Sequence, residues 1–179
     1  MNYLDKPQMR RLLAAARANS ELHWLMILVG YTHGLRVSEV LSLTHANIRD
    51  GFLTVQRLKG SLKTTQALVA SEDPFFDEKT ALTDLLAVTP KTDKLFPLHT
   101  NLVVGRVYFW RLMRKYGKQA EIPAHKRHPH VLKYSCGMAI IPAGIEYTRQ
   151  YLGHRSVAST GAYIRVSDEV TCQKVQGLL

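Results

Sequence analysis

His130 and Lys133 stand three residues apart, Leu152-Gly153-His154 follows, and Tyr163 lies nine residues beyond that histidine. Imidazole and ammonium groups converging on one tyrosine describe a phenol that works on a phosphate. Fixed cations suit such a site because charge builds on phosphate oxygens during substitution. Two more candidates lie far upstream. Arg36 follows Gly34-Leu35 and opens a short helix, where the helix dipole favours an anion; from position alone it is either a surface charge or an anion ligand. Lys59 sits in the turn Lys59-Gly60-Ser61, as an ordinary solvated turn lysine or as part of a loop that reaches a DNA groove, and Lys63 competes with it for that role. Taken singly, Tyr163 reads as a half-buried helical tyrosine and His154 as a histidine favoured by a helix C-terminus.

The elements that hold these residues follow from hydrophobic spacing. Leu4–Ala18 reads as a helix that Asp5 caps, with Pro7 in its first turn and Leu12, Leu13 and Ala16 as its apolar stripe. Glu21–His33 is apolar nearly all round, as in a buried central helix, and Gly34 breaks it. Leu35–Thr44 forms a short helix that turns Val37, Val40, Leu41 and Leu43 inward, with Glu39 spaced to pair with Arg36. Gly51–Ala70 alternates around Lys59-Gly60-Ser61 and predicts a β-hairpin. Ser71–Pro97 is acidic, with a helix over Asp77–Val88 and no visible chemistry. Asn101–Ala120 is a long amphipathic helix whose stripe Val103, Val107, Trp110 and Met113 is expected in the core. Further helices are expected from near Pro129, over Ile145–Gly153, after a Ser156 cap and carrying Tyr163, and over Asp168–Gly177. The fold class is mainly α with one small antiparallel β-hairpin or sheet.

At 179 residues the chain suits one domain, and its 46% hydrophobic content is ordinary for a globular core. No run approaches the roughly 18 apolar residues of a membrane span, and no signal segment opens the chain, so it reads as an intracellular protein with no membrane partner. The net charge of +10 is uneven. Residues 1–70 carry nine Lys/Arg against four Asp/Glu, residues 71–100 three against six, and residues 101–179 twelve against four. Two basic blocks around an acidic segment fit a polyanion-binding face with an uninvolved far side. Cys136 and Cys172 read as small buried hydrophobes. His125, His128 and His130 make a weak metal set, with one cysteine nearby and no acidic ligand.

Together these stretches resemble the catalytic domain of the tyrosine recombinase (phage integrase) family. The resemblance rests on GLRVSEVLSL (34–43), LKGSLKT (58–64), PHVLKYS (129–135) and YLGHRSVASTGAYIRV (151–166), in the family's order over nearly the whole chain. It implies a DNA breaking-rejoining fold, a 3′-phosphotyrosine intermediate and no required metal or other cofactor. By resemblance, Tyr163 is the nucleophile, Arg36 clamps the non-bridging oxygens and Lys59 protonates the leaving 5′ oxygen. His130 assists proton handling and His154 hydrogen-bonds the phosphate. Lys133 stands where the family usually has a second arginine, and a lysine cannot grip two oxygens as a guanidinium fork does; the favoured reading is that Lys133 does the job less well, the others being that an arginine such as Arg127 or Arg149 compensates or that the protein cleaves poorly. Arg57, Lys63, Arg127 and Arg155 are expected to contact DNA.

The implied partners are double-stranded DNA and further copies of the chain, as a dimer or tetramer on DNA, in a prokaryotic or phage setting and a cytoplasmic, nucleoid-associated location. Residues 1–166 are expected to form the catalytic domain, with 167–179 a tail helix that docks in trans or packs in cis. No separate N-terminal DNA-binding domain is expected within this sequence, which reads either as a minimal recombinase or as a fragment. Two alternatives remain: a DNA-binding accessory protein on the same scaffold with weakened catalysis, and a relaxing enzyme like the type IB topoisomerases.

Overall fold

The computed structural model describes residues 3–58, 60–90, 94–97, 102–163 and 176. Lys59, Cys172 and the expected tail helix apart from Gln176 lie outside them.

Helix α1, Lys6–Arg17, is started by a capping box: the Gln8 amide donates to Asp5 Oδ1 at 2.7 Å, and the Asp5 amide donates back to Gln8 Oε1 at 3.2 Å. It buries Met9, Leu12, Leu13 and Ala16. Helix α2, Glu21–Thr32, buries every residue from Trp24 to Gly30, as an all-round apolar sequence requires. Helices α1, α3, α4 and α6 all pack on it.

The chain then turns at Gly34, whose φ is +56°. A Cβ there would lie 2.5 Å from Leu152 Cδ2, so the turn needs glycine both for its backbone and for its close approach to the segment before His154. Helix α3, Val37–Leu41, buries Val40 and Leu41. The sheet has three antiparallel strands in the order β1 (Ile48–Arg49), β2 (Phe52–Val55) and β3 (Thr64–Ala67). The β2–β3 hairpin is the expected one; β1, two residues long, adds to it. Leu53 pairs with Gln66 and Val55 with Thr64, and all four side chains are buried. The inner face of β3 is therefore polar, which demands buried partners.

Helix α4, Glu78–Val88, is capped by Asp77. Helix α5, Leu102–Gln119, packs on α1 and α3. Its inward stripe is Phe109, Leu112, Met113 and Tyr116, whereas Val107 and Trp110 are about half exposed. The expected stripe was off by part of a turn at Val107 and Trp110, while Met113 belongs to both. Helices α6, His130–Ile140, and α7, Ile145–Tyr151, follow. Tyr163 ends a pair of 3₁₀ turns, Val157–Ser159 and Gly161–Tyr163, not the single helix expected; Ser156 does cap the first, accepting from the Ala158 amide. Among the described residues no helix is long and apolar enough to cross a membrane.

Candidate active site

Arg36 is the residue before α3, and Glu39 locks it there. The Arg36 amide donates to Glu39 Oε2 at 2.7 Å and its Nη1 donates to Oε1 at 3.0 Å. A further bond runs from Nη1 to the Leu58 carbonyl at 3.3 Å. Glu39 is buried, which alone would raise its pKa. The Arg36 and Leu58 amides and the Arg57 and Arg36 guanidinium groups outweigh that burial and hold the carboxyl below its usual range. A charged Glu39 thus fixes an arginine that still exposes a quarter of its side chain.

The loop that carries Lys59 is fastened on both sides of that residue. The Leu58 amide donates to Glu39 Oε1 at 2.9 Å, and the Leu62 amide donates to the Gly153 carbonyl at 2.9 Å. The loop expected from the hairpin is therefore tied to the Arg36 helix at one end and to the Leu-Gly-His segment at the other.

His130 opens α6 and is exposed. It shares with Arg36 the wall of a groove of about 570 Å³, whose apolar side comes from Val107 and Trp110. One turn along α6, the Lys133 ammonium is buried and finds no hydrogen-bond partner among the described residues. Burial first, then the charges of Arg36 and Arg57, pull its pKa down to about 8. A cation beside two guanidinium groups, with Glu39 engaged elsewhere and no anion bonded to it among the described residues, suits a site built to receive one.

His154 is 8% exposed, and its Nδ1 lies 3.0 Å from the Thr160 hydroxyl. Burial, followed by the charges of Lys133 and Arg36, pulls its pKa down to about 4, so the ring is neutral at neutral pH. In the tautomer where Thr160 donates to Nδ1, Nε2 carries the hydrogen and can donate to a phosphate oxygen. The Tyr163 ring lies nearly parallel to it, at 7° and 6.3 Å between centroids. Tyr134 flanks the same ring at 5.0 Å. Gly137 of α6 makes the seat: a Cβ there would stand 2.5 Å from Tyr163 Cε1. Burial, then Cys136 and Tyr134, pushes the phenol pKa up to about 12.

Arg57 does not lie where a DNA contact would. It is 3% exposed, and its guanidinium is consumed inside the protein. Nη2 donates to the His33 carbonyl at 2.8 Å, Nη1 to the Gly34 carbonyl at 3.2 Å, and Nε to Thr64 Oγ1 at 2.9 Å. Arg127 is half-buried against Gly117 and donates to the Ile122 carbonyl. Arg149 pairs with Glu146 and donates to the His154 carbonyl at 2.9 Å, so both compensating arginines are already engaged. Lys63 and Arg155 are exposed. The acidic segment, which showed no chemistry in sequence, supplies a fully buried Glu78. That carboxylate accepts from the Thr32 hydroxyl and the Val69 amide and lies 2.8 Å from His33 Nε2. Among the described residues no three His, Cys, Asp or Glu side chains are grouped to hold a metal ion.

This architecture is that of tyrosine recombinase catalytic domains. It superposes on the crystal structure of XerA recombinase with a TM-score of 0.71 and 24% identity, covering 98% of this chain and 64% of that one. On XerH site-specific recombinase bound to its difH substrate before cleavage, the TM-score is 0.74 at 15% identity, covering 98% of this chain and 54% of that one. The chain belongs to the Phage integrase family, whose family model matches residues 2–170. It is similar to the type 1 fimbriae regulatory protein FimE of Escherichia coli K12, with 26% identity over 167 residues, 90% of this chain and 84% of that protein. It is also similar to tyrosine recombinase XerA of Pyrococcus furiosus, with 28% identity over 172 residues, 92% of this chain and 57% of that protein.

Proposed function

We propose that this chain cuts and rejoins double-stranded DNA at a specific site through a covalent phosphotyrosine. The observation that carries this reading is the seating of Tyr163 beside His154 on α6, the helix that also presents His130 and Lys133. In the reaction, the Tyr163 oxygen bonds to the phosphorus and the bond from phosphorus to the 5′ oxygen breaks. The leaving oxygen takes a proton from Lys59, and His130 takes up the phenol proton. Arg36, His154 and Lys133 hold the non-bridging oxygens. A second 5′-hydroxyl reverses the sequence on another strand, so the bond energy is kept. None of these roles calls for a metal.

Lys133 fills the second-arginine position as a point charge. Its buried ammonium, unbonded among the described residues, supports that placement, since the scissile phosphate would be its counter-ion. We place the catalytic unit in residues 1–166 and leave 167–179 as the segment that links copies on DNA. Its working place is beside chromosomal or phage DNA.

The test is a nicked suicide duplex whose short 5′-hydroxyl product diffuses away. Wild-type protein is expected to accumulate a covalent DNA adduct, and Tyr163→Phe to form none. An adduct that persists in Tyr163→Phe would overturn the nucleophile. Relaxation of any supercoiled plasmid regardless of sequence would replace site-specific recombination with the topoisomerase class.

A further inference from the structure

Arg57 reads in sequence as one more surface cation near a turn, yet it is among the most buried charged side chains described. Its partners are not random carbonyls. His33 and Gly34 form the turn that delivers Arg36. Glu39, 3.4 Å from Nη1, holds both Arg36 and Leu58. Thr64 begins β3, and Tyr151, whose carbonyl lies 3.4 Å from Nη2, ends α7 three residues before His154.

Gln66 completes the set. Its Nε2 donates to the Tyr151 carbonyl at 2.8 Å, and its Oε1 lies 3.1 Å from His33 Nδ1 and 3.4 Å from Arg57 Nη2. Gly153, at φ +68°, presses against this assembly. A Cβ there would meet the Leu62 carbonyl at 2.8 Å and Arg57 Cγ at 3.1 Å.

Three segments that are distant in sequence therefore meet on one planar cation: the turn before Arg36, the start of β3, and the end of α7 that leads into His154. A guanidinium suits such a junction because it offers five donors in a fixed fork. It also stays charged when buried, with Glu39 beside it as the counter-charge.

We infer that Arg57 and Gln66 are positioning residues that set His154 against Arg36, so that both reach the same phosphate. This rests on the recombinase reading above but assigns a role to two residues that touch no DNA. Arg57 fixes the two carbonyls ahead of Arg36, and Gln66 fixes the carbonyl ahead of Leu152-Gly153-His154. Loosening either lets the phosphate ligands drift by fractions of an ångström to an ångström without removing any of them, and misplacement on that scale costs about 10²-fold in rate.

The experiment uses Arg57→Lys and Gln66→Met in the full chain. Folded fraction is read by urea unfolding, duplex affinity by fluorescence anisotropy, and single-turnover adduct formation on the suicide duplex per folded molecule. Both variants are expected to bind DNA within about threefold of wild type and to form adduct about 10²-fold more slowly. Gln66→Met removes an uncharged amide and remains readable should Arg57→Lys not fold.

A second duplex carries sulfur in place of the scissile 5′ oxygen, a leaving group that needs no proton. The loss is expected to persist on it, because the fault lies with the groups that hold the non-bridging oxygens. Wild-type rate per folded molecule in Gln66→Met, or full recovery on the sulfur duplex, would overturn the inference. Absence of an adduct from wild-type protein would overturn the underlying reaction instead.

Discussion

In the proposed reaction Lys133 takes a place that an arginine could fill, and its environment gives that reading a measurable form. Its pKa is pulled down from 10.5 to about 8 by burial and by Arg36 and Arg57. The free protein therefore loses this charge as pH rises through about 8, whereas an arginine keeps it. Lys133→Arg is expected to cleave the suicide duplex at least as well as wild type near neutrality. The ratio of variant to wild-type kcat/KM should then climb to about tenfold near pH 9, a unit above that pKa. A ratio that stays flat from about pH 7 to about pH 9 would remove Lys133 from the phosphate site. Stability carries the same titration with a definite sign. The folded pKa lies below the unfolded one, so protonated Lys133 costs stability fully below about pH 8, and the cost is relieved between there and pH 10.5. Lys133→Met should then be the more stable protein at neutral pH, by up to about 3 kcal/mol, with the gap closing in alkali as followed by urea unfolding.

Among the elements, the turn at Gly34 does the most to set the site, since it aims α3 and touches Leu152 in one residue. Gly34→Ala would force an alanine into the left-handed region and drive its methyl against Leu152 Cδ2, 2.5 Å away. A loss of about 2–4 kcal/mol is expected in urea unfolding, with adduct formation falling more steeply than the folded fraction. That glycine, the all-apolar α2, the capped α1 and the β2–β3 hairpin were legible in the residues, because each is dictated by local backbone or periodicity rules. Helix α5 was legible as a helix but not in its rotation. Val103, Val107 and Trp110 have helical spacing, and so do Phe109, Leu112, Met113 and Tyr116. Only the packing of α1 and α3 decides between them, and it leaves Trp110 on the groove beside Arg36 and His130. The site was legible where motif spacing is local, as with Arg36 and Glu39 or His130 and Lys133. Arg57 and Glu78 were not, because a charge beside a turn or in an acidic stretch looks solvated until distant carbonyls, hydroxyls and amides close around it.

Across the whole molecule the excess charge of +10 is carried by two blocks of sequence that flank an acidic one. The acidic block is tied down in part by basic residues of α1: Asp73 bonds Arg10 at 2.8 Å, and Arg17 donates to the Pro74 carbonyl. That pairing withdraws some of the basic charge of the first block from any DNA contact, and the burial of Arg57 withdraws more. What remains near the reactive residues is a sparser set, with Lys63 on the hairpin and Arg155 directly after His154, both exposed. Duplex binding by the full chain should therefore be strongly salt-dependent, falling at least about tenfold between roughly 50 and 200 mM salt. The burial pattern then separates the cations from one another. Neutralising Lys63 or Arg155 to glutamine should flatten the slope of log affinity against log salt by about one unit each, since each releases one counter-ion fewer. Arg57→Gln, read per folded molecule, should leave the slope untouched, because its guanidinium already spends its bonds on protein oxygens. Fluorescence anisotropy titrations across four salt concentrations would read all three. A slope that changed with Arg57 and not with Lys63 or Arg155 would mean that the hairpin opens on DNA and that the buried guanidinium, not the exposed charges, meets the phosphate backbone.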